Sequence, residues 1–151
     1  MIYWQHLTRQ ANEAHTRASF ADAQELNQKA LACAKATFED DFKIDAESAV
    51  SAVIVSYLNL AEVAISMKEW RHANDYFERG VHFLQTVLVS SDILHEHRDL
   101  IERMATHIRF EWELFSTTYG HRLEQARRQH ALLWRSKGLL DNPQNASSWA
   151  V

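Results

Sequence analysis

The sequence predicts an all-α fold, and three features carry that expectation. Apolar residues recur at helical spacing from one end of the 151-residue chain to the other. Glycine occurs three times and proline once, where average usage would give roughly ten and seven. The polar breaks between periodic stretches are very short, so consecutive helices pack as antiparallel hairpins. An all-β sandwich or barrel needs many Gly and Pro turns and is excluded. A phosphate-binding glycine loop is excluded as well, because Gly80, Gly120 and Gly138 are scattered.

Each helix follows from its own pattern. The first spans about residues 2–17, with Trp4, Leu7, Ala11 and Ala14 on one stripe. The second covers about 20–38, turning Phe20, Ala23, Asn27, Ala30, Leu31 and Ala34 inward. An acidic connector, residues 39–44, follows, and Asp45 then caps a third helix that reaches Met67. That helix is apolar on more than one face and is expected to be central. A fourth runs over about 69–88 through Trp70, Ala73, Phe77, Val81 and Leu84. A fifth is expected over 92–118, with Leu94, Ile101, Met104, Ile108, Trp112 and Phe115 in its core stripe. Tyr119-Gly120 is expected to end it, and a sixth helix covers 121–136. These six helices make three hairpins in one domain, residues 1–140. A tail, 141–151, carries Trp149 and Val151.

Composition limits the partners. The net charge of −4 argues against a generic nucleic-acid binder. One cysteine, Cys33, permits no intramolecular disulfide and no cysteine metal knuckle. The N-terminal residues show no signal-peptide pattern, and the most apolar stretch, 49–67, is interrupted by Ser51, Ser56, Asn59, Glu62 and Ser66. A cytoplasmic protein with no membrane span and no cofactor is the expectation.

The sequence also repeats. Shifted by fifty residues, Leu7 meets Tyr57, Ala11 meets Ala61, Ala14 meets Ala64, and Phe20 meets Trp70. Ala23 then meets Ala73, Asn27 meets Phe77, Ala30 meets Gly80 and Leu31 meets Val81. Small residues match small ones at positions where helix axes approach closely. The pattern resembles the tetratricopeptide repeat over about residues 4–34 and 54–84. Ala61, Trp70, Ala73, Phe77, Gly80 and Val81 carry the likeness, as do Ala11, Phe20, Ala23, Ala30 and Leu31 in the first copy. Asn27 stands where an aromatic is usual, the period exceeds the usual 34 residues, and the loop glycine and closing proline are missing.

The resemblance implies a short solenoid, or a right-handed superhelical bundle, that binds a protein partner without catalysis. The first helix of each pair would line a concave face. The residues so placed are Gln5, Thr8, Asn12, His15 and Thr16 on one helix, and Val55, Leu58, Asn59, Glu62, Ile65 and Ser66 on the other. Thr8 stands where a carboxylate-clamping member carries lysine, and Glu62 would repel a carboxylate, so that activity does not carry over. The architecture is similar to that of small bacterial chaperones that hold secretion substrates in such a groove.

Three further features are weighed against plain structural roles. Asp92, His95, Asp99 and Glu102 share one side of the fifth helix and form a candidate metal site for an enzyme or sensor. Acidic residues are favoured at a helix start anyway, and Arg98 and Arg103 are interleaved, so a solvated charged face is preferred. Between residues 121 and 138, Arg122, Arg127, Arg128, Arg135 and Lys137 face only Glu124, and Arg127, Arg128 and Arg135 are candidate RNA phosphate contacts, with Trp134 a candidate base stack. A polar cap on the last helix explains the same charges. Ile93, Leu100, Phe110 and Leu114 form a second apolar set on the fifth helix and predict a homodimer interface.

Overall fold

The computed structural model describes residues 1–90 and 93–136. The tail, with Trp149 and Val151, lies outside the described residues, as does Asp92. Among the described residues there are six α-helices: α1 (Ile2–Thr16), α2 (Phe20–Ala36), α3 (Phe38–Ile44), α4 (Ala46–Ser66), α5 (Trp70–Leu88) and α6 (His95–Ser136). The all-α class and the first two hairpins, α1–α2 and α4–α5, are as the sequence predicts. The chain divides into two compact units, one from Met1 to Leu114 and one from Phe115 onward.

The fifty-residue repeat is present in the backbone as well as in the side chains. Both hairpin turns place a non-glycine residue in the left-handed region, Ala18 and Lys68, each at φ 60°. The Ser19 N–H donates to the Ala14 carbonyl at 2.8 Å, and the Glu69 N–H to the Ala64 carbonyl at 2.8 Å. One residue earlier, the Ala18 N–H reaches His15 at 3.0 Å and the Lys68 N–H reaches Ile65 at 3.0 Å. This pair of bonds is the Schellman end of a helix, which satisfies carbonyls left free by the last turn. Glycine is the usual occupant of the left-handed position. Ala18 and Lys68 adopt it at a cost of roughly 1–2 kcal/mol, because their Cβ crowds the following carbonyl.

The helices pack through small residues. Ala11, Ala23, Ala30, Ala61, Ala64 and Ala73 are all fully buried. Helix α4 is apolar on most of its circumference, and eleven of its 21 residues are buried. It packs against α1, α2, α3 and α5. It is also long and apolar enough to cross a membrane by length and composition, its mean hydropathy being high. The polar interruptions that argued against a span do not lower that mean far enough. Here its apolar surface meets protein: Ala52, Val53 and Tyr57 cluster with Ala34, and Trp4, Leu31, Phe38, Tyr76 and Phe83 close around them.

Two expectations are corrected. The acidic connector is a helix, α3, because Phe38 and Phe42 give it an apolar side. Phe38 meets the Phe83 ring edge-on at 5.1 Å, and Phe42 meets the His97 ring at 4.7 Å. The expected third hairpin does not form, since α6 passes through Tyr119-Gly120 without a break. A lone glycine costs a helix about 1 kcal/mol and ends it only where the chain leaves in the left-handed conformation. Helix-compatible residues flank Gly120 on both sides, so the helix continues.

Gly80 lies at a three-helix contact. A Cβ there would meet Tyr57 Cβ of α4 at 3.5 Å and would press on the Cδ1 of Ile108 of α6. The repeat predicts the first contact; the second comes from the segment that follows it. Gly80→Ala should destabilise by about 1 kcal/mol, because Ile108 is itself fully buried and must shift to admit the new Cβ, a cost that the gain in helix propensity offsets only in part. Gly80→Leu should lose about 3 kcal/mol by overpacking. Thermal unfolding of both variants checks this, and Ile108→Val should recover part of any loss in Gly80→Ala.

Candidate functional site

The expected binding strip is assembled by α1 and α4, which lie side by side and parallel. Two hydrogen bonds fix their alignment. The Trp4 indole N–H donates to Ser56 Oγ at 2.8 Å, and His15 Nε2 lies 3.0 Å from Ser66 Oγ. The offsets are fifty-two and fifty-one residues, so equivalent turns of the two repeats are neighbours. Ser56 is itself fixed, its hydroxyl donating to the Ala52 carbonyl at 2.8 Å. Sequence reasoning placed Trp4 in the core but missed its bond. The signal was available, because an indole N–H near a core needs an acceptor.

The predicted strip residues divide by exposure. Gln5, Asn12, Thr16, Glu62 and Ser66 are exposed, whereas Thr8, His15, Val55, Leu58, Asn59 and Ile65 are half-buried. Thr8 Oγ1 is buried and meets no partner among the described residues. The His15 ring also rests on Phe20, 5.4 Å between centroids. The strip is thus a shallow apolar floor along α4, from Val55 and Leu58 to Ile65, bordered by short polar side chains of α1. Such a surface contacts apolar and polar groups together.

The other candidates fare differently. Among the described residues no three His, Cys, Asp or Glu side chains converge as a metal site. His95, Asp99 and Glu102 are each exposed. Asp99 and Glu102 line a surface depression together with Arg103 and Thr106, so a cation already stands there. The helix starts at His95, whereas the metal reading needs it to start at Asp92. In the last part of α6, Arg128 pairs with Glu124 at 2.7 Å, which occupies one of the expected phosphate contacts.

The expected dimer set does not lie on one free face. Leu100 is 6% exposed and belongs to the core, while Leu94, assigned to the core, is 58% exposed and precedes the helix. The later helix start leaves Leu94 outside the helix, and the core stripe of Ile101, Ile108 and Phe115 widens to take in Leu100. Ile93 is half-buried, and only Phe110 and Leu114 stand open, at 57% and 48% exposed. Trp112, half-buried, donates its indole N–H to Asn74 Oδ1 at 2.8 Å, which ties α6 to α5.

At one end of the α1–α4 pair a pocket opens beside α3. Met1, Trp4, Ile44 and Ala52 supply its apolar lining, and Asp41 and Asp45 its charges. Asp45 caps α4: Ser48 N–H donates to Oδ1 at 3.1 Å, and the Ser48 hydroxyl to Oδ2 at 2.6 Å. The Ser48 hydroxyl bond, and then its backbone bond, hold the Asp45 carboxyl below its usual value.

Residues 3–130 match the sequence profile of a family described as a protein of unknown function (DUF2753). The chain belongs to this family. No curated protein and no solved structure matches it. The family match takes in both repeats, the acidic connector and most of α6. All of the strip and pocket residues except Met1 therefore lie in the shared part.

The Asp45 cap has a pH signature. A carboxyl depressed in the folded state adds stability above its unfolded value of 3.8, and that stability is lost as pH falls through the folded value. The difference in melting temperature between wild type and Asp45→Ala should therefore be full at neutral pH. It should shrink once pH drops below about 4. A difference independent of pH would show that the cap acts without its charge.

Proposed function

We propose that this chain is a tetratricopeptide-like, non-catalytic interaction module that holds a peptide or helix of a partner protein against the α1–α4 strip. The observation that carries the reading is the recurrence of one hairpin, turn geometry included, at a fifty-residue offset. In stacked repeats of this kind the first helices lie parallel and adjacent, as α1 and α4 do, and their shared face is the one left for a ligand. The half-buried Val55, Leu58 and Ile65 provide apolar anchoring, and Gln5, Asn12 and Glu62 provide polar selection around it. A partner segment of mixed character suits this strip better than a strongly charged one.

Site-specific photocrosslinking in cells tests the reading. A photoreactive residue at Asn12 or Glu62 should capture a partner, whereas the same residue at Glu25 of α2 or Glu78 of α5 should not. Leu58→Arg should reduce capture from Asn12 about tenfold, and the milder Glu62→Lys should do so without disturbing the core. Equal capture at Glu25 and Glu78, or capture unchanged in both strip variants, would reject the strip.

A further inference from the structure

We propose that the pocket beside α3 is a separate docking site for a cationic amphipathic segment, which places an apolar side chain in the pocket and a lysine or arginine on its acidic edge. The proposal does not rest on the α1–α4 strip, with which the pocket shares only Gln5.

Three observations carry it. The first is the cavity itself, about 440 Å³, lined by Trp4, Met1, Ile44 and Ala52 and large enough for a long apolar side chain. The second is uncovered apolar surface at its rim, since Ile44 and Met1, which both line it, are 84% and 37% exposed. Single exposed hydrophobes are ordinary, but two that line one apolar cavity leave its anchoring surface open to a partner. The third is charge. Residues 39–48 carry five carboxylates, Glu39, Asp40, Asp41, Asp45 and Glu47, against Lys43 alone. None of the ion pairs among the described residues involves any of the five. No lysine, arginine or histidine side chain lines the cavity, and against the five carboxylates stand only Lys43 and the Met1 ammonium.

The same chemistry decides against other occupants. An acidic edge repels the phosphates of nucleic acid and the headgroups of anionic lipid. Asp41 and Asp45 are already engaged, with Thr37 Oγ1 donating to Asp41 Oδ2 at 2.6 Å and Ser48 bonding Asp45, so they are not aimed at a shared metal ion. They keep their negative charge while so bonded, and it is this charge that attracts a basic side chain. An apolar residue flanked by lysine or arginine on one face of a helix satisfies both parts of the site.

A labelled fourteen-residue leucine/lysine amphipathic peptide, titrated against the full chain by fluorescence anisotropy, tests the proposal. It should bind, and binding should weaken as salt is raised. The leucine/glutamate and serine/lysine versions should bind at least about tenfold more weakly, because one reverses the charge and the other removes the apolar anchor. Asp41→Lys and Ile44→Ser should each weaken binding by a similar factor, with helical content checked by circular dichroism. Ile44 is so exposed that its replacement leaves the core alone. Leu58→Arg, on the α4 strip, should leave this affinity unchanged, which separates this site from the strip. No binding of the leucine/lysine peptide, equal binding of either control peptide, or affinity unchanged in both pocket variants would overturn the proposal.

Discussion

The first unit depends on one constraint: α4 must be covered along most of its circumference, and its neighbours can come close enough only where side chains are small. Ala61 and Ala64 on α4, with Ala73 and Gly80 on α5, are fully or almost fully buried, and so are Ala11, Ala14, Ala23 and Ala30 in the first hairpin. Interiors pack at crystal-like density, so a single added methylene on such a seam moves a helix rather than filling a gap. Once these seams exist, the rest follows. The tight turns at Ala18 and Lys68 set each hairpin, α1 comes to lie parallel to α4, and Trp4 finds Ser56 as its acceptor. The strain of two left-handed non-glycine residues is offset by burial on both sides of each turn, where Ala14, Ala23 and Val63 cluster with Phe20, Leu26 and Met67.

Much of this is legible in the amino-acid sequence. A repeat of small residues at a fixed offset is a strong signal, because close helix contacts tolerate few residue types. It located both hairpins, the buried Ala and Gly positions, and the helices that carry the strip. The segments outside the repeat were harder. The connector 39–44 looked like a solvated loop because its carboxylates dominate the composition, yet two phenylalanines at i and i+4 were enough to dock it as a helix. Gly120 looked like a stop because glycine is common at helix ends, but stopping needs a partner for the chain to turn back against, and that information is not local. The same limit explains why Leu94 and Leu100 of this segment depart from the expectation, while Ile101, Ile108 and Phe115 are buried as predicted. A three-residue change in where a helix begins does not alter its periodicity, but how wide a stripe meets the core depends on tertiary packing, so Leu94 and Leu100 exchanged roles.

The candidate sites divide along the same line. The α1–α4 strip was readable because its residues follow from the repeat. The pocket beside α3 was not, because it forms where the start of α1, the end of α3 and the start of α4 meet, and no spacing in the sequence records that meeting. Asp45, the one carboxyl among the described residues held clearly away from its usual value, owes this to a helix cap.

Native-state hydrogen exchange measures the central claim most directly. If α4 is the element on which the first unit depends, its amides from Val50 to Ala64 should exchange only through global unfolding. Their opening free energy should equal the unfolding free energy from denaturant titration. Destabilising Gly80→Leu should lower both by the same amount. Amides of α4 that open at distinctly lower free energy than the whole, or that are untouched by Gly80→Leu, would contradict an organisation built around this helix.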